Sequence, residues 1–317
     1  MPRLPKFATS TAVAGIMLAA LTVGGSASAV QLYGSVGNGS GSNRGDILSI
    51  DPTFTSSYTT IGNPTVTGGI TGLAFENYAG APSGSLWGSQ GFGFNTTSTL
   101  IEIDPNDGSL ITDVGAIHTD ANDVAGTAIS IGDLAFNSKD GKLYAITSDA
   151  AAPGGPTDGI YTIDTGTGLA TLVGKTIWDT TAGIAFDSNG ILYALGFDPY
   201  VGPFGTNMLF TFDLDNPIYD VTDPLLLLDN TRVTVDINDY IFSGLGINPL
   251  TNEIYASESK TGNIYKVDPT TGEMTFTGKP SGAFVSDLAF RVPEPGTLAV
   301  LSLGTLGLVF SRRRRAI

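Results

Sequence analysis

The sequence predicts an all-β fold, a five-bladed β-propeller in which the last strand of the body closes the first blade. Three observations point there. Glycine at 42 of 317 residues and proline at 17, with abundant Thr, Ser and Asp, favour short strands and tight turns over helices. A strand pattern ending in Asp recurs five times, at a period of about 50 residues, the signature of stacked four-stranded sheets. Finally, the first repeat lacks its opening strand, and an isolated copy of that strand ends the body.

In chain order, residues 1–29 read as a signal peptide. Arg3 and Lys6 give a basic start, Ala12 to Val23 is mostly apolar, and Ala27 and Ala29 are the small residues of an A-x-A cleavage site. Export by Sec-type machinery and cleavage by signal peptidase after Ala29 are expected.

The body, residues 30–291, holds the repeats. Their Asp-terminated strands are ILSID, LIEID, IYTID, LFTFD and IYKVD, closing at Asp51, Asp104, Asp164, Asp213 and Asp268. Ahead of each lies a strand with an aromatic residue, at Tyr33, Trp87, Tyr144, Tyr193 and Tyr255. Earlier still come GLAF, DLAF, GIAF and GLGI, starting at Gly72, Asp133, Gly183 and Gly244. With a short strand after each closing Asp, every unit has four strands, a to d. Unit one has b, c and d but no a, and Val285 to Phe290 is a strand a without its followers. Joined, they make a fifth sheet, which a circular propeller needs and an open solenoid does not. Leu225 to Tyr240 holds an ambiguous extra strand. A two-domain sandwich is the alternative, disfavoured by one repeat running through the whole body.

The turns DPNDG, DTGTG and DPTTG after Asp104, Asp164 and Asp268 lack the ligand spacing of an EF-hand and read as c–d turns. In these, Asp accepts from the turn backbone and Gly supplies positive φ. The b-strand aromatics, Trp87 included, could stack on sugar, but their equivalence across units favours packing between blades. No P-loop or strand-placed dinucleotide fingerprint is present.

Composition removes several chemistries. With no cysteine there is neither disulfide nor thiolate nucleophile, and one histidine, His118 in a polar stretch, cannot build a multi-histidine metal cluster. Without the two basic residues of the leader and four of the tail, nine Lys+Arg remain against 30 Asp+Glu, or about −21. Nucleic acid is therefore not expected as a partner.

The tail, residues 292–317, opens with Val292-Pro293-Glu294-Pro295-Gly296. It continues through 14 uncharged residues, Thr297 to Phe310, and ends on Arg312, Arg313, Arg314 and Arg315. The apolar run is shorter than the roughly 20 residues of a full membrane span, yet snorkelling arginines allow a short transmembrane helix with the cluster held cytoplasmic. This order of parts resembles the PEP-CTERM sorting signal. The resemblance implies recognition by an exosortase, with processing near Pro293, Glu294 and Pro295, and an association with exopolysaccharide. The repeats also loosely resemble bacterial extracellular propellers with IDP-x-TG turns.

The expected protein is thus exported to the cell envelope or extracellular matrix, anchored for a time or permanently by its C-terminal helix. It is read as a non-enzymatic binding or structural module for exopolysaccharide or a surface protein. The expected site is the end bearing the long b–c and d–a loops, with Trp178, Tyr240, Phe197 and Tyr200 as ligand-binding candidates. No cofactor is required, although calcium could bind an acidic body. The alternatives are a carbohydrate-active hydrolase or lyase and a calcium-stabilised scaffold. For an enzyme, Asp133 and Asp287 are the candidate catalytic pair, because they replace the glycine found at the start of strand a in the other three units. They could equally be solvated, or hydrogen-bond a neighbouring blade.

Overall fold

The computed structural model describes residues 30–64, 68–77, 84–91, 97–119, 128–147, 159–176, 180–198, 206–237, 242–258, 260–280 and 282–291. All belong to one compact unit, Ala29–Glu294. The signal peptide and its Ala27 and Ala29 lie outside the described residues, as do the C-terminal helix and the sorting residues.

The strands fall into five four-stranded antiparallel sheets and one small hairpin. Blade 1 holds β1 (Gln31–Val36), β2 (Ile47–Ile50) and β3 (Tyr58–Gly62). Blade 2 is β4 (Gly69–Phe75), β5 (Leu86–Gly91), β6 (Thr99–Ile103) and β7 (Leu110–Ala116). Blade 3 is β8 (Ile131–Asn137), β9 (Lys142–Thr147), β10 (Gly159–Ile163) and β11 (Ala170–Lys175). Blade 4 runs through β12 (Thr180–Phe186), β13 (Ile191–Asp198) and β14 (Thr206–Asp213), then makes the hairpin β15 (Ile218–Tyr219) and β16 (Leu227–Leu228) before its outer strand β17 (Thr231–Thr234). Blade 5 is β18 (Phe242–Ile247), β19 (Ile254–Glu258), β20 (Ile264–Val267) and β21 (Met274–Gly278). The ambiguous extra strand thus resolves into the hairpin arm β16 and the true outer strand β17.

Closure occurs as the split repeat predicts. β22 (Val285–Arg291) pairs antiparallel with β1, Leu32 opposite Phe290 and Gly34 opposite Leu288, giving the sheet order β22-β1-β2-β3. The inner strands β22, β4, β8, β12 and β18 are each in contact with the next, and β18 returns to β22.

Five apolar clusters fill the gaps between successive blades. In each gap the b-strand aromatic of one blade meets the end of strand a in the next. Tyr33 packs on Phe75 with ring centroids 5.3 Å apart, Tyr144 on Phe186 at 4.9 Å and Tyr255 on Phe290 at 5.4 Å. Trp87, only 7% exposed, lies in the blade 2–3 cluster beside Phe136, and Tyr193 lies against the blade 4–5 cluster with Ile247. Burial of side chains of this size stabilises by about 1.5–3 kcal/mol each, which accounts for one aromatic per repeat without a ligand.

At four of the five junctions the outer strand or the segment after it is also hydrogen-bonded to the c–d connection of the next blade. At the blade 2–3 junction the His118 amide donates to Gly168 O at 3.2 Å and the Ala170 amide to His118 O at 2.7 Å. At the 3–4 junction Lys175 N donates to Leu225 O at 2.7 Å, and Lys175 pairs with Asp223, so the blade 4 hairpin covers the end of β11. At the 4–5 junction Asp236 N donates to Gly272 O at 3.2 Å. At the 5–1 seam Lys279 N donates to Ser56 Oγ at 3.0 Å, and the Thr55 and Thr277 hydroxyls lie 3.1 Å apart. His118 is therefore half-buried, its backbone serving a junction and its Nδ1 lying 2.9 Å from Ala116 O.

Candidate functional site

The carboxylates of the c–d turns are engaged within the turns themselves. All five closing aspartates accept a backbone amide two residues on: Asp51 from Thr53 at 2.8 Å, Asp104 from Asn106 at 2.8 Å, Asp164 from Gly166 at 2.9 Å, Asp213 from Asp215 at 3.1 Å and Asp268 from Thr270 at 2.7 Å. Gly108, Gly168 and Gly272 take φ of 70°, 73° and 76°, the left-handed conformation the turn requires. No group of three or more potential metal-ligating side chains occurs among the described residues.

The axis has a more specific organisation. Each inner strand carries a β-bulge at the same place, skipping Ser286, Thr71, Gly132, Ala182 and Ser243 in blades 1 to 5. A bulge leaves one residue out of the ladder and sharpens the twist. Two residues after each, the amides of Leu288, Leu73, Leu134, Ile184 and Leu245 turn from the ladder to side chains at the axis. The five N–H groups belong to residues no more than 1% exposed, and each needs an acceptor.

Asp133 and Asp287 are those acceptors. The Asp133 carboxylate takes the amides of Leu134 at 2.6 Å and Ile184 at 2.7 Å, together with Leu245. Asp287 takes Leu288 at 2.6 Å and also Leu73. Two carboxyl groups thus serve five amides, one from every blade, and they hydrogen-bond each other. Both residues are 0% exposed.

The same geometry explains the glycines at the equivalent positions of the other three blades. A Cβ on Gly72 would lie 2.7 Å from Leu134 N, one on Gly183 2.8 Å from Leu245 N, and one on Gly244 2.6 Å from the Asp287 Oδ1. A Cβ does not approach another heavy atom so closely, so side chains at these three of the five positions would push the ring apart.

Electrostatically the pair behaves as one unit. Burial pushes both carboxyls up, Asp133 to about 8 and Asp287 well above its usual range, the latter also because it faces Asp133. The amides that each carboxyl accepts partly offset that burial, and the pair titrates as a unit. The arrangement is a nest of N–H dipoles closed by an internal carboxyl–carboxylate pair; it can hold a proton, and its donors all face the pair.

Of the ligand-binding candidates, Phe197 lies near the end of β13, opposite Thr180 and Asn207, and is half-buried. Trp178, Tyr200 and Tyr240 lie outside the described residues, as does most of the long-loop face. No helix among the described residues is long and apolar enough to cross a membrane.

Among solved structures, a chain from the "Crystal structure of Nidogen/Laminin Complex" aligns over 83% of this chain and 98% of its own length, with 12% identity and a TM-score of 0.50. A chain from the "Crystal structure of Myxococcus xanthus Glutaminyl Cyclase" aligns over 74% of each chain with 16% identity and a TM-score of 0.37. The first likeness concerns the fold alone. No curated protein matches the sequence significantly. At the C-terminus, residues 291–315 match the PEP-CTERM protein-sorting motif. The chain is thus a five-bladed β-propeller body carrying a PEP-CTERM sorting signal, which implies an exported protein sorted by an exosortase.

Proposed function

We propose that this protein is a non-enzymatic binding or structural module of the cell envelope or extracellular matrix, engaging exopolysaccharide or a surface protein through its long-loop face. The observation that carries the reading is the state of Asp133 and Asp287, the candidate acid and base. Both are fully buried, and their oxygens are occupied by ring amides. A general acid must reach the atom it protonates, within hydrogen-bond distance or through one water. The sorting motif supports delivery to the envelope, where a rigid propeller with varied loops at one end suits adhesion. Trp178, Tyr200, Tyr240 and Phe197 are the residues proposed to contact the ligand. No cofactor is needed for this role.

The test is the purified full-length protein against a panel of bacterial exopolysaccharides, with and without calcium, recording retention and release of reducing ends together. Retention without release, weakened in Trp178→Ala, is the expected result. Release of reducing ends that is lost in Asp133→Asn would replace the proposal with a hydrolase or lyase. Calcium-dependent stability with no retention would replace it with a scaffold.

A further inference from the structure

Two acidic side chains pointing at one another in a closed axis are costly, and their neighbours do not neutralise them. Strands β4, β12 and β18 carry no titratable side chain. β8 carries only Asp133, and besides Asp287 β22 carries Arg291, whose guanidinium lies 5.6 Å from the Phe75 ring centroid. Among the b strands, β5 has none; β1 has Tyr33, β9 has Lys142 and Tyr144, β13 has Tyr193 and Asp198, and β19 has Tyr255 and Glu258. The tyrosines belong to the inter-blade cores, Lys142 is exposed beside Asp140, and the Glu258 carboxylate takes the amides of Lys260 at 2.7 Å and Thr261 at 2.9 Å. No ion pair among the described residues includes Asp133 or Asp287.

We propose that the Asp133–Asp287 pair is a proton-held lock on ring closure: one shared proton keeps the five inner strands docked at the axis, and its loss at alkaline pH loosens them. With the proton present, a single charge is spread over two carboxyls and met by five N–H dipoles. Without it, two like charges share one dry site. The amides can solvate one charge well, but nothing among the described residues offsets the second.

Linkage fixes the direction. A carboxyl whose proton is held more tightly in the folded state contributes stability that is complete below its unfolded pKa, ordinarily 3.8, and is lost as pH rises towards the folded value, about 8 for Asp133. The window between pH 6 and 8, on the approach to that raised value, is where this loss is read.

The experiment is the melting temperature of the purified full-length chain from pH 5 to 9, beside the infrared carbonyl stretch of protonated carboxylic acid. The wild type is expected to lose about 3–5 °C per pH unit between pH 6 and 8. Its protonated-carboxyl band should be present at pH 6 and fade across the same interval. Asp287→Asn, which carries no second charge, should lose less per pH unit than wild type between pH 6 and 8. A wild-type melting temperature flat over that window, or no protonated band at pH 6, would overturn the lock. Should Asp287→Asn fail to fold, the wild-type band and its pH dependence decide alone.

Discussion

Replacing Asp133 by Ala removes the acceptor of three amides, Leu134, Ile184 and Leu245, each on a different inner strand. An N–H left buried without a partner costs about 1–3 kcal/mol, so three cost roughly 3–9 kcal/mol. Removing a buried carboxyl returns part of that as relieved desolvation, and water entering the vacated space can satisfy an amide. A net loss of about 3–5 kcal/mol remains, set against the 5–15 kcal/mol of a typical domain. The appropriate assay is urea unfolding at pH 6, followed by circular dichroism, comparing midpoint and slope. Asp133→Ala should lower the midpoint at unchanged slope, by more than Asp133→Asn, which keeps one acceptor oxygen. An Asp133→Ala protein within about 1 kcal/mol of wild type would refute the claim that this carboxylate holds the axis together.

Other expectations follow from the same contacts. Gly244→Ala forces a methyl group against Asp287 and its strand, and should cost about 1–3 kcal/mol in the same unfolding assay. Phe290→Ala empties the contact with Tyr255 at the closing seam and should cost about 3–5 kcal/mol, exposing the blade 5–1 core to a fluorescent apolar dye on mild heating. Asp268→Ala, at a solvent-exposed turn whose amides of Thr270 and Thr271 the carboxylate accepts, should cost only about 0.5–1.5 kcal/mol in the same assay.

Most of the architecture was legible because it is written locally and repeatedly. The closing aspartates, turn glycines and b-strand aromatics recur at matching positions, and the displaced strand Val285 to Phe290 declares the circular closure. The blade 4 hairpin was less legible, since β15 and β16 have two residues each and are stabilised by packing Leu227 and Tyr219 against blade 3. The axis was half legible. The alternation of Gly72, Gly183 and Gly244 with Asp133 and Asp287 marks the position, but its reason lies in bulges and inter-blade contacts that no sequence window contains. Asp287 meets Leu73, 214 residues away. Similarly, Thr55 gives no sign of being 0% exposed, because its burial comes from the seam with Thr277. Trp178, Tyr200 and Tyr240 fall in connections without repeat equivalents, so the sequence periodicity says nothing of their placement.

The most direct measurement is residue-resolved amide hydrogen exchange on the folded protein at pH 6. If two carboxyls cap the axis, the amides of Leu73, Leu134, Ile184, Leu245 and Leu288 should exchange only through global unfolding, with one common free energy despite lying on five different blades. Rapid or unequal exchange at these five positions would contradict it, showing that the axis is open to water and the carboxylates are free for other work.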